Sequence, residues 1–533
     1  MQLTFLNWLL ALSPVLAVLV LMPALPGGGS RAGAAGWFVA IVRAMLRFGA
    51  GPRLIGYAQA KSILLTLDVL YVIWMALLLF HVADEAGAVR LIGERLPALT
   101  ADRVMQGLLL GWVFVSFLQG FGGFGVPVAV VAPLLVGLGF GPIQAVIIAS
   151  IGHGWAVTFG SLATSFIALM GATGLPGEQL APEAALMHGV AAFFSGAIVA
   201  YVSSGWKGML RGVPAILALT AGMGTVQYLL ATNGLWTLGA MGATLVGLPI
   251  AIGLTRLPIY RNFHDGEQAD RGGDRDEKPA FNDPVDDGQE RRLAVALSGY
   301  AVLIALAFAI NLTPALKGLF NSVRLTLQFP EVVTAFGWVT PAETGRQISL
   351  FGHPGAILLY SSLIAYTIYA EAGYYQPGAA GRIFKKVVEG AVTSSLGIAA
   401  MVGMAVVMSH AGMTNLLARG LSAGVGRAAY PAVAPFIGAL GAFMTGSNTN
   451  SNVVFGALQQ QTAQLLGLSV TLILAAQTTG GALASVFAPA KVIVGCTTVG
   501  LVGQEGRVIG RMLIYGLIPV IVAAVMTWLL ATF

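Results

Sequence analysis

Charge is scarce in this sequence. Lys, Arg, Asp and Glu make up 9% of its 533 residues against 57% hydrophobic residues, and the mean hydropathy is +0.82. A chain so poor in charge cannot clothe a water-soluble surface, which excludes the soluble globular classes. Cysteine is nearly absent: the single Cys496 excludes an internal disulfide framework and a multi-Cys metal site. No stretch alternates polar and apolar residues as a membrane β-barrel strand does. The formal charge of +6 comes from Lys and Arg that flank apolar spans, a topology signal and not a nucleic-acid surface. HExxH and paired-carboxylate spacings are missing too. His153, His188, His353 and His410 are scattered, so a membrane-embedded metal or hydrolytic enzyme has no support. The first apolar stretch, FLNWLLALSPVLAVLVLMPAL, has no basic segment before it, and a cleaved signal peptide is not expected.

What remains is a succession of apolar stretches of about 18 residues or more, each able to cross roughly 30 Å of hydrocarbon as a helix. They lie near 4–25, 59–82, 104–120, 183–203, 213–231, 235–254, 293–312, 347–371, 388–409 and 509–532. The expected fold is an all-α polytopic membrane protein. Two regions, 117–172 and 430–503, are apolar but interrupted by Gly, Pro and amides. The polar segment 255–292 holds seven Lys/Arg (Arg256, Arg261, Arg271, Arg275, Lys278, Arg291, Arg292) and lacks apolar periodicity. It reads as a solvated cytoplasmic linker between a first transmembrane repeat, 1–254, and a second, 293–533. Basic residues also place Lys207 and Arg211, and Arg382, Lys385 and Lys386, in the cytoplasm. AGAVRLIGERLPALTADR reads as an interfacial helix. At 36–51, Arg43 and Arg47 make a membrane crossing costly although an inverted repeat requires one.

The repeat rests on a constant offset. Gly120 and Gly446, Ala149 and Ala475, and Gly154 and Gly480 are each 326 positions apart. Internal repeats broken at corresponding places mark secondary transporters, and they make a channel the weaker reading. Unwound backbone at membrane depth is costly unless it lines a cavity, so the two breaks are expected to meet at one site. The candidates are Gln119, Gly122, Gly123, Gly125, His153 and Thr158 from the first region. The second supplies Ser447, Asn448, Thr449, Asn450, Gln477, Thr478, Thr479 and Lys491. The run 447–452 offers neutral donors and acceptors that suit a carboxylate or hydroxyl; the same groups can also satisfy helix ends or join helices.

The strings FGVPVAVVAPLLVGLGF, GAFMTGSNTNSN, AAQTTGG and VGLVGQEGR fix Gly, Pro or Asn at set spacings. On these strings the chain resembles the L-lactate permease family over most of its length. The resemblance implies import of a small 2-hydroxymonocarboxylate (L-lactate, D-lactate or glycolate) across the plasma membrane by proton symport, without a cofactor. A different organic anion or Na+ coupling is the alternative. The implied partners are that anion with its H+ or Na+ and the lipid bilayer, no nucleic acid, and a homodimer is left open. Residues 447–449 also resemble the hairpin-tip motif of a wider ion-transporter superfamily, which implies re-entrant hairpins and an elevator-type moving unit.

Departures from the family pattern bear on coupling. Gln119 stands where family members carry Glu, and HGWAV from His153 replaces Asn-Thr-Ala-Pro. Ser485 stands where a Lys is expected, with Lys491 displaced toward the next helix. A glutamine cannot take and release a proton. His153 then becomes a coupling candidate, expected to face residues 477–480. Asp68 is the other, with pairing to Arg43 or Arg47 as its structural role. Lys491 either neutralises the substrate carboxylate or snorkels at a helix end.

Overall fold

The computed structural model describes all residues except 25–27, 96–99, 124, 262–292, 346 and 503. Most of the expected linker, and the end of the expected interfacial segment, therefore lie outside the described residues. Helices α1 (Phe5–Ala24), α2 (Gly28–Arg47) and α3 (Pro52–Glu85) open the chain, and the short α4 (Ala88–Arg95) follows. Next, α5 (Arg103–Leu108), a π-helical stretch (Leu109–Phe114) and α6 (Val115–Phe121) join end to end and stop at Gly122. Then come α7 (Val126–Gly137), α8 (Pro142–His153) and α9 (Thr164–Thr173). The long α10 (Gly177–Thr232) folds back at Ser204 and Gly205, so that Gly189 abuts Gly224. Helices α11 (Gly239–Thr255) and α12 (Pro258–Arg261) lead up to the linker.

The second half repeats part of this order. It runs through α13 (Leu293–Leu312), α14 (Pro314–Phe320), α15 (Pro354–Glu371), α16 (Ala379–His410) and α17 (Met413–Thr445). It ends with α18 (Asn448–Leu466), α19 (Val470–Ser485), α20 (Pro489–Thr498) and α21 (Glu505–Thr532). Helices α2 and α15, α3 and α16, and α9 and α20 start about 326 positions apart. Proline at the first helical position starts α3, α15 and α20, where its missing N–H costs nothing. The equivalents α3 and α16 run antiparallel: Glu85, ending α3, accepts from Arg382 Nε (2.6 Å) and Lys386 Nζ (3.0 Å) near the start of α16. Opposite directions in equivalent helices are what an inverted repeat requires. The positive-inside rule predicts that this shared end faces the cytoplasm, with Lys61, His353 and His410 toward the outside.

Close crossings explain two of the glycines. A Cβ on Gly152 of α8 would lie 1.7 Å from the Gly111 carbonyl oxygen in the π-helical stretch, and one on Gly480 of α19 would lie 1.9 Å from that of Pro435 in α17. Neither backbone could approach so closely with a side chain between.

Two expectations need correction. Among the described residues seven helices are long and apolar enough to cross a membrane, or nine if each of two bent pairs is one span; α10 counts once there, although its two arms hold two of the expected spans. The span expected at 347–371 begins only at Pro354; before it, residues 324–349 form a narrow arm of three nested antiparallel pairs. These are β1 (Arg324–Leu325) with β6 (Ile348–Ser349), β2 (Gln328–Phe329) with β5 (Glu343–Thr344), and β3 (Val332–Val333) with β4 (Val339–Thr340). Two-residue strands are too short for an alternating pattern to register. Residues 36–47 continue the helix α2, packed on α1 and α16 at the register of α15.

The second correction concerns Asp68. Its buried carboxylate accepts from His353 Nε2 at 3.0 Å, where Arg43 or Arg47 was expected. His353 Nδ1 accepts from the Gly355 amide at 3.2 Å, which fixes the neutral Nε2–H tautomer, and Tyr71 stacks on the ring at 5.0 Å. The pair ties α3 to the start of α15. Asp68→Ala should cost about 1–3 kcal/mol by stranding that N–H, lowering the melting temperature in detergent while pH-driven accumulation survives. Lost accumulation at unchanged melting temperature would instead place Asp68 in coupling.

Candidate functional site

The two breaks converge. A cavity is lined by Gln119, Gly123, Val157, Ser161, Thr164 and Ser165 of the first half and Gly446, Ser447, Asn448, Thr449 and Lys491 of the second. The 326 offset relates its walls: Gly123 corresponds to Thr449, and Ser165 to Lys491.

Each wall has a local cause. Gly446 (φ +70°) ends α17, and Ser447 caps α18 by accepting from the Asn450 amide at 3.3 Å. The Asn448 and Thr449 amides, one turn before any intrahelical acceptor, are left to the cavity together with the positive end of the helix dipole. Opposite, Ser161, Leu162 and Ala163 hold φ of +46°, +50° and +60° before α9. Left-handed conformations cost about 1–2 kcal/mol per residue, and three in succession persist only where surroundings impose them. Here Gly160 is wedged against the Gln119 and Ala156 carbonyls, where a Cβ would come within 2.7 Å and 2.6 Å.

The polar groups divide into donors and acceptors. Lys491 is 7% exposed and donates from Nζ to Ser485 Oγ at 3.2 Å; among the described lining residues it alone carries a charge. Thr449 and Ser165 hydroxyls meet at 3.1 Å. Asn448 Nδ2 donates to Thr158 Oγ1 (3.0 Å) and Thr478 Oγ1 (3.3 Å), and Asn452 Nδ2 to Thr478 Oγ1 (2.8 Å). This leaves Asn448 Oδ1 and Gln119 Oε1 as buried acceptors with no partner among the described residues. An ammonium with helix-start amides suits a carboxylate, and spare amide oxygens suit a hydroxyl.

The remaining candidates lie around this cavity. Thr158 and Thr478 stand behind Asn448, joined at 3.1 Å. Gly122 and Gly125 shape the break between α6 and α7, Gly125 with φ +93°. Asn450 is buried with its amide on Ser447. Gln477 belongs to a separate buried chain, accepting from Gln459 Nε2 (3.0 Å) and donating to Ser451 Oγ (3.0 Å). Thr479 turns away to His188 Nδ1 at 3.3 Å.

His153 is fully buried outside the lining set. Its Nδ1 donates to the Ala149 carbonyl at 2.7 Å, its Nε2 has no partner among the described residues, and Lys491 is its electrostatic neighbour. The adjoining Gly154 abuts Leu483 and Val486. Asp68 lies in another cavity. Ser161, Thr164 and Ser165 were missed, although applying the 326 offset to Lys491 would have named Ser165.

Comparison with known proteins gives one consistent result. The family model described as L-lactate permease matches residues 7–533. The chain is 26% identical to an L-lactate permease of Bacillus subtilis (strain 168), over 86% of this chain and 84% of that protein. It is 27% identical to one of Escherichia coli (strain K12), over 86% and 85%. It is also 27% identical to the glycolate permease GlcA of the same strain, over 99% and 96%. Among solved structures it is similar to the YdaH transporter of Alcanivorax borkumensis, at a TM-score of 0.43 and 14% identity over 98% of this chain and 97% of that one.

Proposed function

The chain belongs to the L-lactate permease family and is a multi-pass plasma-membrane transporter, and we propose that it imports a small 2-hydroxymonocarboxylate together with a proton. One observation carries this reading: a buried ammonium, Lys491, and the amide end of α18 share a cavity with Gln119 and Asn448, whose Oε1 and Oδ1 have no partner among the described residues. The carboxylate would take Lys491, the Thr449 hydroxyl and the α18 amides. The 2-hydroxyl would donate to an amide oxygen. His153 is the proposed proton carrier. A proton there and a carboxylate on Lys491 favour each other's binding, because opposite charges attract strongly when shielded from water. Movement of the broken-helix unit as an elevator belongs to the same proposal, as does a boundary between repeats at 255–292.

Uptake of labelled L-lactate, D-lactate, glycolate and acetate into proteoliposomes, under imposed proton or sodium gradients, tests the reading. Accumulation of a 2-hydroxy acid on an inward proton gradient, with acetate excluded, is the expected outcome. Accumulation on sodium alone would replace the proton, and indifference to the 2-hydroxyl would remove the acceptors from the site. Asn448→Ala should lower uptake about tenfold at normal expression, equivalent to about 1.4 kcal/mol, since it deletes an acceptor and loosens Thr158 and Thr478. Uptake equal to the parent's would take Asn448 out of the site.

A further inference from the structure

A second cavity lies between α3, α9, α16 and α18 toward the outer end. Its polar lining is Lys61, Asp68, Ser409 and His410; small apolar side chains make the rest. Two of its walls lead directly to the deep site. On α9, Ala168 is one turn beyond Ser165, and on α18, Val453 is one turn beyond Thr449, a rise of roughly 5 Å. An anion leaving this cavity along the α9 and α18 walls would reach the Thr449 hydroxyl next.

Among the described lining residues Lys61 is the basic residue with a fixed charge and Asp68 the acidic one. The Asp68 carboxylate accepts from His353. Lys61 Nζ is paired with Glu343 of β5, at side-chain exposures of 21% and 38%. Glu343 stands on a two-residue strand paired with β2, whose Phe329 packs with Leu64 of α3. That ion pair is partly solvated, so exchanging one carboxylate for another at Lys61 changes little in free energy. Glu343 presents to Lys61 the functional group that the proposed cargo would present.

We propose that the Lys61 ammonium is a transient outer binding site for the transported monocarboxylate, and that Glu343 is its tethered competitor. The inference rests on the proposed function. Lys61 raises the local concentration of anion one helical turn from the deep cavity, and Glu343 closes the ammonium off when anion is scarce. The role is confined to one face of the membrane.

The opposing signs of two substitutions test this. Initial rates are measured with oriented proteoliposomes, varying glycolate or L-lactate outside for influx and inside for efflux. Lys61→Met should raise the external KM about three- to tenfold, Glu343→Gln should lower it about threefold, and Lys61→Arg should stay near the parent. Maximal rate and internal KM should not move. If the ion pair merely anchored the arm, both substitutions would act in the same direction or leave KM alone, and either result overturns the proposal; so does an equal shift at both faces. Should Lys61→Met fail to fold, an external KM for Glu343→Gln that is unchanged or raised is equally decisive. A parent inert toward every monocarboxylate would sink the proposed function itself, whereas a transporting parent with unmoved variants sinks Lys61 alone.

Discussion

Lys491→Met is expected to cut uptake of the transported anion a hundredfold or more, with expression and detergent stability near those of the parent. Lys491 lies in the first turn of α20, a ten-residue helix, and its Nζ reaches back to Ser485 at the end of α19. That places a fixed positive charge, 7% exposed, on the wall of the cavity. Removing one partner of a buried charge pair typically costs about 2–5 kcal/mol, and every 1.4 kcal/mol is about tenfold. Methionine keeps the length and apolar stem while deleting the charge. Lys491→Arg should recover only part of the rate, because a planar guanidinium does not fit where a compact ammonium did. Measured as kcat/KM in proteoliposomes, a loss smaller than threefold would make Lys491 a snorkelling residue and leave the carboxylate without a counter-charge.

The second large effect is at His153. His153→Gln should abolish accumulation driven by a pH gradient while exchange of internal for external substrate continues. Glutamine can still donate to the Ala149 carbonyl, which His153 Nδ1 reaches at 2.7 Å, but it cannot titrate. The unpartnered Nε2 is the atom that would take the proton. Its neighbour Lys491 links the two ligands: the loaded site carries lysine, carboxylate and proton together, and the anion is needed to offset the two positive charges. Accumulation that persists in the Gln variant would make His153 structural. Loss of both accumulation and exchange would indicate damage to the α8 end and not to coupling.

The architecture was legible where apolar length is the whole signal. Stretches such as 59–82 and 388–409 fall inside single helices, α3 and α16, because any apolar segment in lipid must satisfy its own backbone. The convergence of the two breaks followed from the 326 offset, which three small residues carried. Less was readable where tertiary contact decides the outcome. Nothing local in SLATS signals three left-handed residues; they follow Gly160, which is pressed against Gln119. The partner of Asp68 is brought in by α15, some 285 positions away. The arm at 324–349 pairs in two-residue steps, below the length at which alternation can be recognised. Gln477 and Thr479 stand beside Thr478 in sequence, yet on a helix neighbours point to different faces, and only Thr478 reaches Asn448.

The claim on which the rest depends is that the anion sits where the two broken regions meet. A structure determined with glycolate or L-lactate at saturating concentration tests it most directly. The expected density has its carboxylate within hydrogen-bonding distance of Lys491 Nζ and the Thr449 amide, and its 2-hydroxyl on Gln119 Oε1 or Asn448 Oδ1. Density for the anion elsewhere in the protein, with none between Gly123 and Thr449, would contradict the account.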